Sequence, residues 1–426
     1  MFMKNQGVDI VLEIGGISDL EMARSLFEKK MDAANLSKIS KIQNAAALLK
    51  IANAISMCEP DAVFVNTGSE PDRRFVRNLA LQKGEERLLA MENHTLHFDL
   101  KEEQGRILDR TFYIANEGDL VSSLANKMFR QEAFRDIREK MVGIMAGKVM
   151  MVGFYIRGPA GSPISNPALE ITSSAYVTHS AEILYRNVYA RFDEEVNRLG
   201  HFYTNIHSEG LNRSEDLPNA RVFMDRSYQT TYSFNCTYAG NTLLMKKGNH
   251  RFSVDKAVYE NRGNELAEHM FITGIEGSGG RITWCAGAAP SGCGKTTTAM
   301  AGTFFVGDDL AQMWIDDQGT IRSVNPECGI FGILEDVNHE GDPKLVRLLR
   351  NPGTEVIWSN VLVDEAGVPH WAGNAEVHPL KGINFQGPWE AGMVDEKGKP
   401  VPISHSNSRC TLSSKEIGRA SCRERV

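Results

Sequence analysis

The chain has 426 residues, 42% hydrophobic and 24% charged, which is enough apolar material for two or three folded domains and too much for wholesale disorder. Its formal net charge of -7 excludes a nucleic-acid binder that works through overall positive charge, so any anionic ligand must meet basic groups gathered locally. Seven cysteines, none in a C-x-x-C pair, signal neither a zinc site nor a disulfide framework, and scattered reduced thiols fit a cytoplasmic protein. The first residues carry no secretory h-region, and no apolar run approaches the ~18 residues that a membrane span needs.

In chain order, Ser18-Asp19-Leu20-Glu21 is a capping-box pattern that opens a helix through about Ala34. Residues 38–57 are apolar at helical spacing and predict a second helix, and 61–68 reads as strand and turn, so helix–strand alternation suggests α/β layers. Residues 69–103 read as helix or loop. Gly105-Arg106-Ile107 then precedes a strand at 112–115, where Arg106 and Arg110 read as solvated arginines. A β-type run covers 148–157, followed by a rigid turn cluster from Gly158 to Pro163. Short strands are predicted at 169–172 and 175–178, a helix at 181–199 capped by Gly200, and a polar loop at 206–220. Tyr228 to Lys247 reads as a strand, a Tyr-Ala-Gly-Asn turn, then a helix or strand ending in two lysines. His269 falls at a helix-to-strand passage, where a structural role and a ligand role both stay open.

Ile282 to Ala286 predicts a buried strand, and Thr296 to Gly302 can start a helix. Between them lies Ala289-Pro290-Ser291-Gly292-Cys293-Gly294-Lys295-Thr296. A strand, a glycine-bearing turn with Gly-Lys-Thr and a helix make a phosphate-binding loop: backbone N–H groups turn inward and the helix N-terminus adds positive potential. Lys295 would neutralise terminal phosphates, and the Thr296 hydroxyl would reach a divalent metal. The general pattern has glycine where Ala289 stands, and an ordinary turn with a solvated lysine is the alternative. Residues 303–309 predict an apolar strand ending in Asp308-Asp309, the position where nucleotide sites hold a metal. A hairpin turns at 316–319, residues 334–353 are a polar excursion, and another hairpin turns at 364–367. Residues 413–426 lose their apolar pattern and read as a frayed, non-native or disordered tail.

Several blocks together resemble one family. The cysteine-bearing loop from Ala289 to Thr296 resembles the kinase loop of GTP-dependent phosphoenolpyruvate carboxykinase. Val306-Gly307-Asp308-Asp309-Leu310-Ala311 and the block from Asn325 to Gly332 are similar to the blocks downstream of that loop in the family. Tyr238-Ala239-Gly240-Asn241 with Lys246-Lys247, Ala267-Glu268-His269-Met270, Gly105-Arg106-Ile107 and His405-Ser406-Asn407-Ser408-Arg409 fall in the same order, spanning roughly 105 to 411. The resemblance implies a two-lobed mixed α/β fold with the site in the cleft between lobes. A substrate-binding lobe would cover 1–255, an incomplete P-loop nucleotide lobe 256–412, and the tail 413–426.

It also implies roles. Lys247, His269 and Asp309 would hold catalytic Mn²⁺. Arg106, Tyr238, Gly240, Asn407 and Arg409 would bind the three-carbon substrate, with Tyr238 beside the carboxylate lost as CO₂. Ser291, Gly292, Cys293, Gly294, Lys295, Thr296 and Thr297 would cradle GTP, and Thr296 would ligate the accompanying Mg²⁺. Cys293, Lys295, Arg106 and Tyr238 form the catalytic set. The implied reaction turns oxaloacetate and GTP into phosphoenolpyruvate, CO₂ and GDP, a gluconeogenic step in a cytoplasmic monomer without nucleic-acid or membrane partners. Lys247 must be neutral to coordinate, and taking a lysine from about 10.4 to below about 7 costs about 5 kcal/mol, which burial and a dication can supply. Cys293 reads either as a thiol whose modification blocks nucleotide binding or as a small side chain that fits the turn.

Departures from the family pattern are Ala239 for glycine, Gly292 and Thr297 in the loop, and Cys410 for an aromatic. Family members continue past this point, so the chain reads as a divergent, C-terminally truncated copy. Without the guanine-binding aromatics and lid of that missing part, nucleotide choice rests on the loop alone. The alternatives are another P-loop kinase or ATPase, and an inactive nucleotide-binding fragment.

Overall fold

The computed structural model describes residues 7–290 and 293–417. They form two compact units. The first comprises Met1–Arg77, Gly105–Glu182 and Arg186–Asn264, and the second comprises Asn78–Gln104, Ile183–Tyr185 and Glu265–Val426.

The first unit is built on a nine-stranded mixed sheet. In spatial order the main path runs Ala62–Asn66, Val149–Arg157, Asn166–Thr172, Tyr203–Ser208, Thr230–Phe234, Arg221–Asp225, Thr111–Ala115 and Asn126–Phe129. The central strands are buried on both faces, yet the faces differ in chemistry. Because strand side chains alternate, Met150, Val152, Phe154, Ile156, Leu169 and Ile171 share one face, which packs with Ile51, Ile55, Ile137 and Phe192 of the helices into the main apolar core. The opposite parity puts Tyr155, Arg157, Glu170, Thr172, Asn205 and His207 on the other face, also buried.

Helix Leu244–Asp255 lies against that polar face: Phe252 packs on Tyr203 with ring centroids 5.4 Å apart, and a Cβ on Gly248 would come within 2.8 Å of Thr231. Side chains of the sheet satisfy one another and the helix there. Arg157 donates to Ser253 Oγ at 2.5 Å, Asn205 and Asn249 exchange amide hydrogen bonds at 2.8 and 3.0 Å, and Asn205 Nδ2 donates to Glu170 Oε2 at 3.0 Å. Burial pushes the Glu170 carboxyl up to about 8, against a smaller opposing pull from the Asn205 amide.

The second unit holds a five-stranded sheet in the order Gly329–Ile333, Arg409–Ser413, Val356–Ser359, His94–His97 and Arg87–Leu88. Its core gathers Trp358, Trp371, Leu345, Leu349 and Leu412, all fully buried. Two three-stranded sheets and a four-stranded one complete the unit.

Several expectations are corrected. The segment around 175–178 is the start of helix Ala175–Leu184 rather than a strand, and 181–199 is broken into that helix and Phe192–Leu199, although Gly200 does cap the latter in the left-handed region (φ 73°). The first helix stops at Lys30, because Asp32 caps a separate helix, Ala33–Ile39. The next helix begins only at Ala45, where Asn44 accepts from the Ala47 N–H at 2.9 Å. The polar stretch at 206–220 hides the end of the fully buried strand Tyr203–Ser208. The excursion at 334–353 contains helix Pro343–Leu349, four of whose seven residues are buried. The start of the supposed tail is ordered, with Ser414 and Ile417 buried in a 3₁₀ turn, while 418–426 lie outside the described residues.

Candidate functional site

In the second unit the phosphate-loop strand is Ile282–Ala288 and the next helix is Lys295–Ala301. The predicted burial of that strand is wrong. It pairs only with Met270–Glu276 among the described residues, and Ile282 and Trp284 remain 41% and 58% exposed. Ser291 and Gly292 lie outside the described residues. Gly294 caps the helix with φ 81°, a conformation that favours glycine. Lys295 Nζ reaches back to the Ala289 carbonyl at 2.9 Å, so the lysine spans the loop. Cys293 is exposed. At the far end of the helix, Lys344 Nζ donates to the carbonyls of Met300 and Gly302 at 2.6 and 3.2 Å, which suits the negative end of the helix dipole.

Two hydroxyls of this helix are fixed by carboxylates. Thr296 Oγ1 donates to Asp308 Oδ2 at 3.0 Å, and Thr297 Oγ1 to Asp342 Oδ1 at 2.7 Å. Asp308 and Asp309 come directly after strand Phe304–Gly307, as the sequence predicts, but they divide the work: the buried Asp308 holds Thr296, while Asp309 faces the open side. Asp309 Oδ1 stands 3.5 Å from His269 Nδ1 and 3.8 Å from Lys295 Nζ. His269 sits between two strands, Glu265–Glu268 and Met270–Glu276, not after a helix. A side chain on Gly307 would collide with Asn325, whose amide donates to the Val306 carbonyl at 3.0 Å and steadies the approach to the two aspartates.

An imidazole nitrogen and a carboxylate oxygen at that separation can share a divalent ion. Among the described residues no three His, Cys, Asp or Glu side chains gather at one point, so further donors would have to be of another type.

Also in this unit, Asn407 lies in the turn before strand Arg409–Ser413, and Arg409 opens that strand. Arg409 stacks on the Phe331 ring, 4.6 Å from its centroid, and donates to the Phe331 carbonyl at 3.3 Å. Asn407 Nδ2 donates to the Gln104 carbonyl at 3.2 Å.

In the first unit the expected substrate residues Arg106, Tyr238 and Gly240 are drawn together by Asn241, to which the sequence reading assigns no role of its own. It donates through Nδ2 to the Gly105 carbonyl at 3.1 Å, and its Oδ1 accepts the Ile107 N–H at 3.3 Å. It therefore clamps the backbone on both sides of Arg106 to the Tyr238–Gly240 turn. Its own carbonyl is held by Ser233 Oγ at 2.8 Å. A Cβ on Gly240 would collide with the Tyr238 ring, so glycine there lets the buried tyrosine fold over the turn. An asparagine in a turn invites the clamp reading, but only the fold shows which segment it holds. Lys247 lies in the first turn of helix Leu244–Asp255, which resolves the helix-or-strand alternative in favour of helix. Lys246 beside it is buried, at 1% exposure.

The fold and this site define a mixed α/β protein with a separate phosphate-loop unit. The family signature described as phosphoenolpyruvate carboxykinase N-terminal domain matches residues 50–258, and that of the phosphoenolpyruvate carboxykinase C-terminal P-loop domain matches 265–423. Curated relatives named phosphoenolpyruvate carboxykinase (GTP) include proteins of Pyrococcus furiosus, 40% identical over 90% of this chain and 61% of its own length, and Thermococcus kodakarensis, 40% identical over 91% and 62%. That of Saccharolobus solfataricus is 37% identical over 88% of the chain and 59% of its own length. The chain belongs to the phosphoenolpyruvate carboxykinase family. It spans about six tenths of the length of the curated relatives it matches. Among the described residues no helix is long and apolar enough to cross a membrane.

Proposed function

We propose that this chain carries the decarboxylation of oxaloacetate and the phosphorylation of the resulting enolate by GTP, yielding phosphoenolpyruvate, CO₂ and GDP. One observation carries the reading: Asp309 stands within 4 Å of both His269 and the phosphate-loop Lys295, so a metal-ligand pair and a phosphate-neutralising cation share one spot. The family supplies the substrate class.

In this reading Arg106 and Arg409 hold the carboxylate and phosphate ends of the three-carbon substrate, and Asn407 orients it. Tyr238 flanks the carboxylate that leaves. Lys295 leaves the Ala289 carbonyl for the nucleotide, where it and the loop N–H groups stabilise charge on the transferring phosphoryl group. Thr296, already held by Asp308, would turn toward the Mg²⁺ that accompanies the nucleotide. His269, Asp309 and, as a neutral amine, Lys247 would hold Mn²⁺, which when bound supplies positive charge to the enolate oxygen and the γ-phosphate. No side chain has to act as a nucleophile. Cytoplasmic location and a monomeric state complete the proposal.

Following phosphoenolpyruvate by phosphorus NMR in mixtures of the chain, oxaloacetate, Mn²⁺ and either GTP or ATP tests it. Product with GTP and little with ATP is the expected result; product with ATP alone would point to another kinase. Lys247→Arg, which keeps a charge but removes the coordinating amine, should lose Mn²⁺ binding in an electron-paramagnetic titration. Wild-type affinity in that variant removes Lys247 from the metal site.

A further inference from the structure

The turn that carries Asn407 is closed by the side chain of His405. Ser408 N–H donates to the His405 carbonyl at 2.8 Å, and Asn407 N–H donates to His405 Nδ1 at 2.9 Å. A backbone N–H is always a donor, so Nδ1 must present a lone pair there, and the ring's own hydrogen must sit on Nε2. Imidazolium carries hydrogen on both nitrogens, and two N–H groups pointing at each other over 2.9 Å cannot persist. The ring is therefore a lock with one protonation state.

Its setting is built for that state. The His405 backbone N–H donates to the Asn360 carbonyl at 3.2 Å and anchors the residue, and the Phe385 ring meets the imidazole edge-on at 5.1 Å. The charged group facing the imidazole is Asp99, whose carboxylate is already engaged by Asn360 Nδ2 at 2.6 Å and by His97 Nε2 at 3.1 Å. Burial holds the His405 imidazole below the ordinary histidine range, and Asp99 opposes this with the weaker pull. The lock is thus shut at neutral pH and opens toward acid. Asn407 itself spends one amide hydrogen on the Gln104 carbonyl, leaving the other and its oxygen for a ligand.

We propose that His405 is a positioning residue for Asn407: its unprotonated ring fixes the turn that presents the Asn407 amide to an anionic three-carbon substrate, and protonation at Nδ1 releases that grip. This rests on reading Asn407 as a substrate residue. Two variants separate the parts. His405→Asn keeps an acceptor, because an asparagine oxygen takes the N–H of the residue two places on, and it cannot protonate in this range. His405→Ala has no acceptor at all.

The full 426-residue chain is compared with both variants from about pH 5 to about pH 8. Nitrogen NMR of the imidazole should show hydrogen on Nε2, and the Asn407 amide signal should titrate in the unmodified chain but not in His405→Asn. Phosphoenolpyruvate affinity of the unmodified chain, divided by that of His405→Asn at the same pH so that the ligand's own ionisation cancels, should fall about fivefold toward acid, the worth of one hydrogen bond. His405→Ala should bind more weakly than His405→Asn throughout. Hydrogen on Nδ1 at neutral pH, or a flat affinity ratio, overturns the proposal even if His405→Ala does not fold. Absence of phosphoenolpyruvate binding in every protein instead overturns the substrate reading, and the proposal falls with it while the ring measurement still reports the turn.

Discussion

At Gly240 the absence of a side chain shapes the turn. The Tyr238 ring occupies the volume that a Cβ would fill, so Gly240→Ala must push the ring aside or shift the turn. We expect about 1–3 kcal/mol of destabilisation by denaturant unfolding and, on the proposed substrate role of Tyr238, weaker oxaloacetate binding by calorimetry. A variant with unchanged binding would detach Tyr238 from the substrate. Much at this scale is legible in the sequence. Gly-Lys-Thr between a strand and a helix marks a phosphate loop, and the Asp308-Asp309 pair can be picked out as the acidic end of an apolar strand. The division between neighbours cannot be read. Asp308 and Asp309 are identical in composition and adjacent in chain, and only the fold of the bend that follows the strand sends one to Thr296 and the other to His269 and Lys295.

Among the elements, the Asn241 clamp matters because it joins segments 134 and 136 residues apart with one side chain. Asn241→Ala leaves a backbone carbonyl and a backbone N–H without that partner, at about 1–3 kcal/mol. Hydrogen exchange at Ile107 should accelerate strongly while exchange in the central strand Val149–Arg157 stays slow. Equal slow exchange at Ile107 in the variant would show that the loop holds itself. Elements with strong local signals are legible: the helix start near Leu20 (capped by Asp19 rather than by Ser18 of the capping-box pattern), the Gly200 stop and the hairpin at 316–319. One missed element shows a physical cause. Strand His94–His97 is buried yet reads His-Thr-Leu-His, because its two histidine rings are engaged inside the unit: Trp358 Nε1 donates to His94 Nδ1 at 3.1 Å, and the His97 ring meets the Glu85 carbonyl at 2.7 Å. A polar strand that is buried against other polar groups leaves no alternation for a hydropathy pattern to reveal.

The whole molecule inherits a pH response from the polar face of its large sheet. Glu170 is raised from 4.5 to about 8 by burial, so the folded chain keeps its proton where the unfolded chain has lost it. A raised carboxyl contributes fully below about 4.5, and its contribution falls as pH climbs to about 8, by up to about 1.4 kcal/mol per unit. Glu170→Gln keeps an acceptor for Asn205 and carries no proton to lose. Its melting temperature should exceed that of the unmodified chain near pH 8, and the difference should shrink toward pH 5. A difference that does not change with pH would mean that Glu170 is ionised in the folded state. The two-faced sheet also explains why α/β layering is visible in the sequence while the assignment of segments to units is not. Residues 78–104 and 183–185 join the second unit through long-range pairing, such as Val356–Ser359 beside His94–His97, and local composition holds no record of that pairing.

The thiols sort themselves by reach. Cys58, Cys236, Cys328 and Cys410 are buried, and burial raises Cys410 to about 12 and Cys58 higher still, so electrophiles find little thiolate there. Cys293 is exposed in the phosphate loop. With Cys285 and Cys422 replaced by serine, a maleimide dye should react at Cys293, and the rate of that labelling becomes an optical gauge of what occupies the loop.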